Sequence, residues 1–234
     1  MAERLGSLFY RAYGAMRMWG KAALLALAVA GPVAAQEGPV SIVALGDSLT
    51  QGYGLMDGDG FVPQLQAWLT ERGHAVRIEN HGVSGDTTAG GLARIGWALG
   101  TGVDAMIVAL GGNDLLRGIP PEASRANLAG ILDEAEAQGI EVLLVGLRAP
   151  GNYGPDYQAA FNAMYPDLAE EYGTLYAESF LAPLSAAAAA DPEAAYSTYM
   201  QSDGMHPNAQ GVALIVEALG PQVEDLIARV SPQS

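Results

Sequence analysis

The stretch Val40–Gly54, VSIVALGDSLTQGYG, constrains the fold more than any other part of the chain. Val40–Leu45 is mostly apolar and rich in β-branched side chains, which reads as a strand buried on both faces. The run stops at Gly46-Asp47-Ser48-Leu49. A buried strand that breaks at glycine into small polar residues is where an α/β protein carries reactive groups, at the carboxyl end of the strand. Ser48 is therefore a candidate nucleophile. A serine hydroxyl is weak at neutral pH and needs an adjacent base, usually a histidine oriented by a carboxylate. It also needs donors for the oxyanion that forms when it attacks.

Downstream, apolar runs and helical stripes alternate. Phe61–Arg72 carries Leu65, Trp68 and Leu69 at helical spacing, and Val76–Asn80 is a short strand. Thr88–Leu99 reads as a helix and Asp104–Leu110 as a third strand. Pro121–Gln138 sets Leu128, Ile131, Leu132 and Ala135 on one helical face, and Ile140–Leu147 is a fourth strand. A helix over Pro155–Tyr172 leads to a fifth strand at Leu175–Ala177. Residues 180–200 read as irregular, with the alanines at 186–190 as helical filler. Pro207 suits the first position of a helix striped by Val212, Ile215, Val216 and Leu219, and Pro221 starts a shorter terminal segment. The alternation predicts an α/β fold with a parallel sheet covered on both faces and no second domain. The polar segments follow strands, so they gather at one sheet edge.

The first 35 residues have a different character. Arg4, Arg11, Arg17 and Lys21 precede Ala22–Ala30, a run of Ala, Leu and Val alone, followed by Gly31-Pro32 and Val33-Ala34-Ala35. This is the pattern of a secretory signal cleaved after Ala35, with an N-terminal anchor that is never cut as the alternative, although the apolar run is too short to span a bilayer. Residues 36–234 are then the mature domain, periplasmic or secreted, with no stable membrane anchor. The leader holds four of the 11 basic and one of the 26 acidic residues, which leaves seven against 25, a net charge of −18. Such a surface repels nucleic acid and strongly anionic ligands. The chain has no cysteine, which excludes disulfides and thiolate chemistry.

Of the histidines, His74 follows a helix in a turn and His81 follows a strand. His206 lies in Ser202-Asp203-Gly204-Met205-His206-Pro207-Asn208. Asp203, three residues before it, is placed to reach the imidazole and fix its tautomer. Asp203 and His206 are equally good helix-capping chemistry. Gly85, in Ser84-Gly85-Asp86 before a helix, and Asn113, in Gly111-Gly112-Asn113-Asp114 after a strand, offer backbone and side-chain donors for an oxyanion. Taken singly, each is also what a turn requires. From average residue usage, Gly-Asp-Ser-Leu would occur by chance in roughly one chain in 200 of this length. The four segments occur in order, however, and the first three close successive strands.

The segments GDSLTQGYG at 46–54, SGDTTAGGLARI at 84–95, LGGNDLLRG at 110–118 and DGMHPNAQG at 203–211 resemble the SGNH (GDSL) hydrolases. Within that superfamily the chain is similar to the bacterial secreted arylesterase, acyl-CoA thioesterase I and lysophospholipase L1 group. NYG at 152–154 and MYPDLAEEYG at 164–173 extend the likeness over nearly everything after the leader. The resemblance implies a three-layer α/β/α sandwich around a five-stranded parallel sheet of flavodoxin-like order. It implies Ser48 as nucleophile, His206 as base and Asp203 as its orienting partner. Ser48, Gly85 and Asn113 are the implied oxyanion donors, and Asp47 is implied to be structural. Gly82 competes for the glycine role, but alignment through Ser-Gly-Asp favours Gly85. His81 gains no catalytic role. The segment 115–120, with Leu115 and Leu116, is the implied mobile wall of an acyl pocket. Tyr153, on the next strand-end loop, is a candidate to line it too, with ordinary loop packing as the alternative.

The reaction implied is hydrolysis of short-chain or aryl carboxylic esters through an acyl-enzyme, by a monomer, with no metal or organic cofactor. Thioesters and lysophospholipids are further candidate substrates, although the charge disfavours polyanionic acyl-CoA. The alternatives are a carbohydrate O-deacetylase of the same superfamily and a non-catalytic lipid- or carbohydrate-binding module.

Overall fold

The computed structural model describes residues 38–230; the expected leader at 1–35 lies outside them. In chain order, β1 (Val40–Gly46) is followed by α1 (Ser48–Gln51), α2 (Phe61–Glu71), β2 (Val76–Gly82) and α3 (Thr88–Ala98). Then come β3 (Ala105–Ala109), α4 (Gly112–Leu116), α5 (Pro121–Ala137), β4 (Glu141–Val145), α6 (Pro155–Tyr172) and β5 (Leu175–Ala177). The described chain closes with α7 (Ala182–Ala190), α8 (Pro192–Tyr199) and α9 (Ala209–Val230). All neighbouring strands pair in parallel, in the order β2-β1-β3-β4-β5. This is the flavodoxin-like order, with its switch point between β1 and β3.

Burial explains why the strands were readable as apolar runs. In β1, Ile42 and Ala44 face a core shared with α2 and α9, while Val43 and Leu45 face a core shared with α3, α5 and α6. All four are 0 % exposed. β3 and β4 divide the same way, Ile107 and Leu143 to one side, Val108 and Leu144 to the other. With helices on both faces, no strand position from 42 to 45 is left for a polar side chain. The three layers are those the resemblance implied. No described helix is long and apolar enough to cross a membrane.

Four local expectations need correction. β2 extends two residues past Asn80, because His81 and Gly82 pair with Leu45 and Gly46 and the Val83 N–H donates to the Gly46 carbonyl. The region 180–200 is not irregular: α7 and α8 occupy it, packed on each other and on α9. Pro207 does not open the last helix. It forms an antiparallel bridge with Met200, and the Asn208 side chain caps α9, accepting from the N–H groups of Gln210 and Gly211 at 3.0 Å. Pro221 does not start a new segment either. α9 runs through it, carried by a continuous buried stripe of Val212, Ile215, Val216, Leu219, Val223, Leu226 and Ile227.

Candidate active site

Ser48 is the first residue of α1, directly after β1. Asp47 precedes it, and its Oδ1 accepts the Leu49 N–H at 3.0 Å, which holds the tight entry to the helix. Burial pushes the Asp47 carboxyl up. The Leu49 N–H, the His206 ring and the Asn113 amide pull it partly back. Its other oxygen accepts from Asn113 Nδ2 at 3.3 Å. Asp47 thus shapes its own turn, as expected, and also orients a side chain from a different strand end.

His206 arrives from the loop before α9. Its Nε2 lies 2.9 Å from Ser48 Oγ and its Nδ1 lies 2.6 Å from Asp203 Oδ2. The tautomer protonated at Nδ1 satisfies both contacts. Asp203 Oδ1 accepts the N–H groups of Met205 and His206, at 2.9 and 3.0 Å. The hydrogen bond from the imidazole, with those two backbone donors, lowers the Asp203 carboxyl to about 2. Gln201 braces the loop: its N–H donates to the His206 carbonyl at 2.8 Å, and its side-chain amide donates to the carbonyls of Tyr53 and Pro207. The Tyr53 ring rests 4.8 Å from the imidazole, centre to centre.

Gly85 sits at the third position of a turn closed by the Asp86 N–H on the Val83 carbonyl. Its φ is +79°, so any side chain there is strained. Arg117 Nη2 donates to the Gly85 carbonyl at 2.7 Å, and Gln51 accepts from both the N–H and the hydroxyl of Ser84. Gly82 has a different reason for being glycine. A Cβ there would lie 2.2 Å from the Gln51 nitrogen, so it lets α1 close onto β2.

Asn113 lies in α4 beside Asp114, which is fully buried. The Asp114 carboxylate accepts from the Thr88 N–H and hydroxyl, at 2.9 and 2.6 Å, and from the Ser124 hydroxyl at 2.9 Å. α4 is thereby fastened to the starts of α3 and α5.

Ser48, Gly85, Asn113, Asp203 and His206 all line one cavity of about 450 Å³, together with Leu115 and Leu116. Tyr153 lines no part of it. Its ring packs on Tyr157 and beside Gly118, and its hydroxyl donates to the Leu116 carbonyl, so it props the wall instead of facing the cavity. His74 pairs with Glu224, and His81 lies beside Glu79 and Trp97; neither reaches the cavity. Sequence reading missed Tyr53, Leu49, Leu147, Leu181 and Met205 on the wall. Leu49 and Met205 adjoin motif residues and Leu147 follows β4, so proximity to the strand ends would have found those three.

A hydroxyl, an imidazole and a carboxylate in series, beside an apolar cavity at the carboxyl edge of a parallel sheet, are the equipment of a serine hydrolase. Residues 44–214 match the GDSL-like lipase/acylhydrolase family, and the chain belongs to it. The chain is similar to esterase TesA of Pseudomonas aeruginosa, with 36% identity over 188 residues, 80% of this chain and 89% of the relative. It is similar to thioesterase 1/protease 1/lysophospholipase L1 of Escherichia coli, with 34% identity over 192 residues, 80% of this chain and 85% of that one. Among solved structures it resembles AlinE4, an SGNH-hydrolase family esterase, at 43% identity and a TM-score of 0.64, covering 81% of this chain and 97% of AlinE4. The protein is a serine ester hydrolase.

Proposed function

We propose that Ser48 is the nucleophile, His206 its base and Asp203 the group that orients the base. The observation that carries this is the unbroken contact from Ser48 Oγ to Nε2 and from Nδ1 to the Asp203 carboxylate. The Ser48 proton passes to Nε2 as Oγ attacks the ester carbonyl carbon. The carbonyl oxygen becomes an anion held by the N–H groups of Ser48 and Gly85 and by Asn113 Nδ2. Collapse expels the alcohol, which takes the proton from Nε2. Water then enters, gives its proton to the imidazole and releases the acid from Ser48.

The cavity's leucines and its modest size suit neutral short-chain or aryl esters. Leu115 and Leu116 contact the acyl portion. The leader pattern supports export and removal of residues 1–35, with the enzyme acting as a monomer in the periplasm or outside the cell.

The test is labelling by a fluorophosphonate probe, with the modified peptide mapped by mass spectrometry. The probe is expected on Ser48, and Ser48→Ala loses both labelling and turnover of p-nitrophenyl acetate, by at least about 10³-fold. A label on another residue, or turnover unchanged in Ser48→Ala, overturns the assignment.

A further inference from the structure

We propose that Arg94 is a positioning residue for ester hydrolysis, fixing the nucleophile's strand end and the oxyanion turn in one frame. Its guanidinium is held on three sides. Nε donates to Asp86 Oδ2 at 2.8 Å, one terminal nitrogen donates to the His81 carbonyl at 2.8 Å, and the other to the Gly46 carbonyl at 3.0 Å. Two of the three acceptors lie next to something the reaction uses: Gly46 precedes Asp47-Ser48 and Asp86 directly follows Gly85. The third, the His81 carbonyl, belongs to the end of β2, where His81 pairs with Leu45 of β1.

The Arg94 and Asp86 side chains are 19% and 13% exposed, so water competes weakly for these bonds. The Gly46 carbonyl also accepts the Val83 N–H at 3.0 Å, which uses both of its lone pairs. Gly90 supplies independent support. A Cβ at that position would lie 1.6 Å from Asp86 Oδ1, so α3 keeps a gap that the Asp86 carboxylate fills. The geometry requires a planar fork. A lysine ammonium keeps the charge but cannot meet three acceptors spread around a guanidinium plane. Arg94 is not among the cavity-lining residues, so it acts through Ser48 and Gly85 and never on the ester itself.

This inference rests on the reading of Ser48 and Gly85 given above, and the experiment separates the two. Arg94→Lys, Arg94→Ala, Asp86→Asn and Ser48→Ala are assayed on p-nitrophenyl butyrate, with folded fractions set by near-ultraviolet circular dichroism. Inhibition by phenylboronic acid, which forms a tetrahedral anion on a serine oxygen, is measured beside them. Arg94→Lys and Arg94→Ala are expected to lose about 10- to 100-fold in kcat, with KM within about threefold, as for a donor displaced by an ångström. The boronate inhibition constant rises by the factor that kcat/KM falls, and Asp86→Asn moves both in the same direction by less. Millimolar guanidinium restores part of the kcat of Arg94→Ala and none of Ser48→Ala. If Ser48→Ala stays active, the site assignment itself fails. If Ser48→Ala is dead while Arg94→Lys and Asp86→Asn keep wild-type kcat, the Arg94 inference alone fails. Losses that follow only the folded fraction, with boronate affinity intact, overturn it too.

Discussion

Asp203 has an exposed side chain, yet its carboxyl sits at about 2 because the imidazole and two backbone N–H groups all favour the anion. The sign follows directly. A carboxyl held below its unfolded value of 3.8 contributes orientation and stability in full above that value, and loses them as pH falls through about 2. Asp203 therefore remains a carboxylate across the whole range in which an esterase is assayed. A ¹³C-carboxyl NMR titration is expected to give Asp203 a midpoint near 2; a midpoint at or above 3.8 would show that the imidazole does not hold it. Ser48, Gly85 and Asn113 were legible as residue types after strands, and Asp203 and His206 as a carboxylate–imidazole pair three residues apart before a helix. The Asp47–Asn113 contact and the three-way grip of Arg94 were not. Asp47 and Asn113 are 66 residues apart, and Arg94 reaches Gly46 across 48. Only pairing of β2 and β3 beside β1 brings those partners together.

At the scale of elements, the crossing of α2 and α9 depends on one small residue. A Cβ at Gly220 would lie 2.6 Å from the Trp68 ring, so the indole occupies the space a side chain would need. Alanine normally improves a helix interior by roughly 0.5–1 kcal/mol over glycine. Here the clash outweighs that gain, because overpacking a filled core costs about 1–3 kcal/mol. Gly220→Ala is expected to lower the melting temperature by several degrees while leaving kcat near wild type, measured by calorimetry and p-nitrophenyl ester turnover. A raised melting temperature would mean the indole moves aside freely. Two sequence expectations fail near this crossing, for different reasons. Pro221 looked like a break, but the buried stripe on both sides of it holds α9 in one piece. Residues 180–200 looked irregular because Ala182–Ala190 is apolar nearly all round and shows no helical period, although alanine is the best helix former. By contrast, α2, α3, α5 and α6 had stripes or stops within a residue or two of their observed ends.

For the whole molecule, the charge balance predicts a bias in substrate range. Residues 36–234 carry seven basic and 25 acidic residues. Arg148, the basic residue beside Leu147 on the cavity wall, is paired with Glu178. A polyanionic acyl-CoA approaches against that field, and a neutral ester does not. The kcat/KM for acetyl-CoA is expected to fall below that for p-nitrophenyl acetate in about 20 mM salt. The gap narrows as salt approaches about 300 mM and screening shortens the field. A CoA thioester preferred at low salt would refute this.

Ser48 and His206 stand 158 residues apart and meet at 2.9 Å. The first is delivered by the end of β1 and the second by the loop that the last described helix anchors. Under the proposed roles, loosening that helix is expected to draw the proton acceptor away from an otherwise intact nucleophile. The rate of bond cleavage is then expected to gauge long-range order, falling with fraying at the far end of the fold before the sheet itself opens.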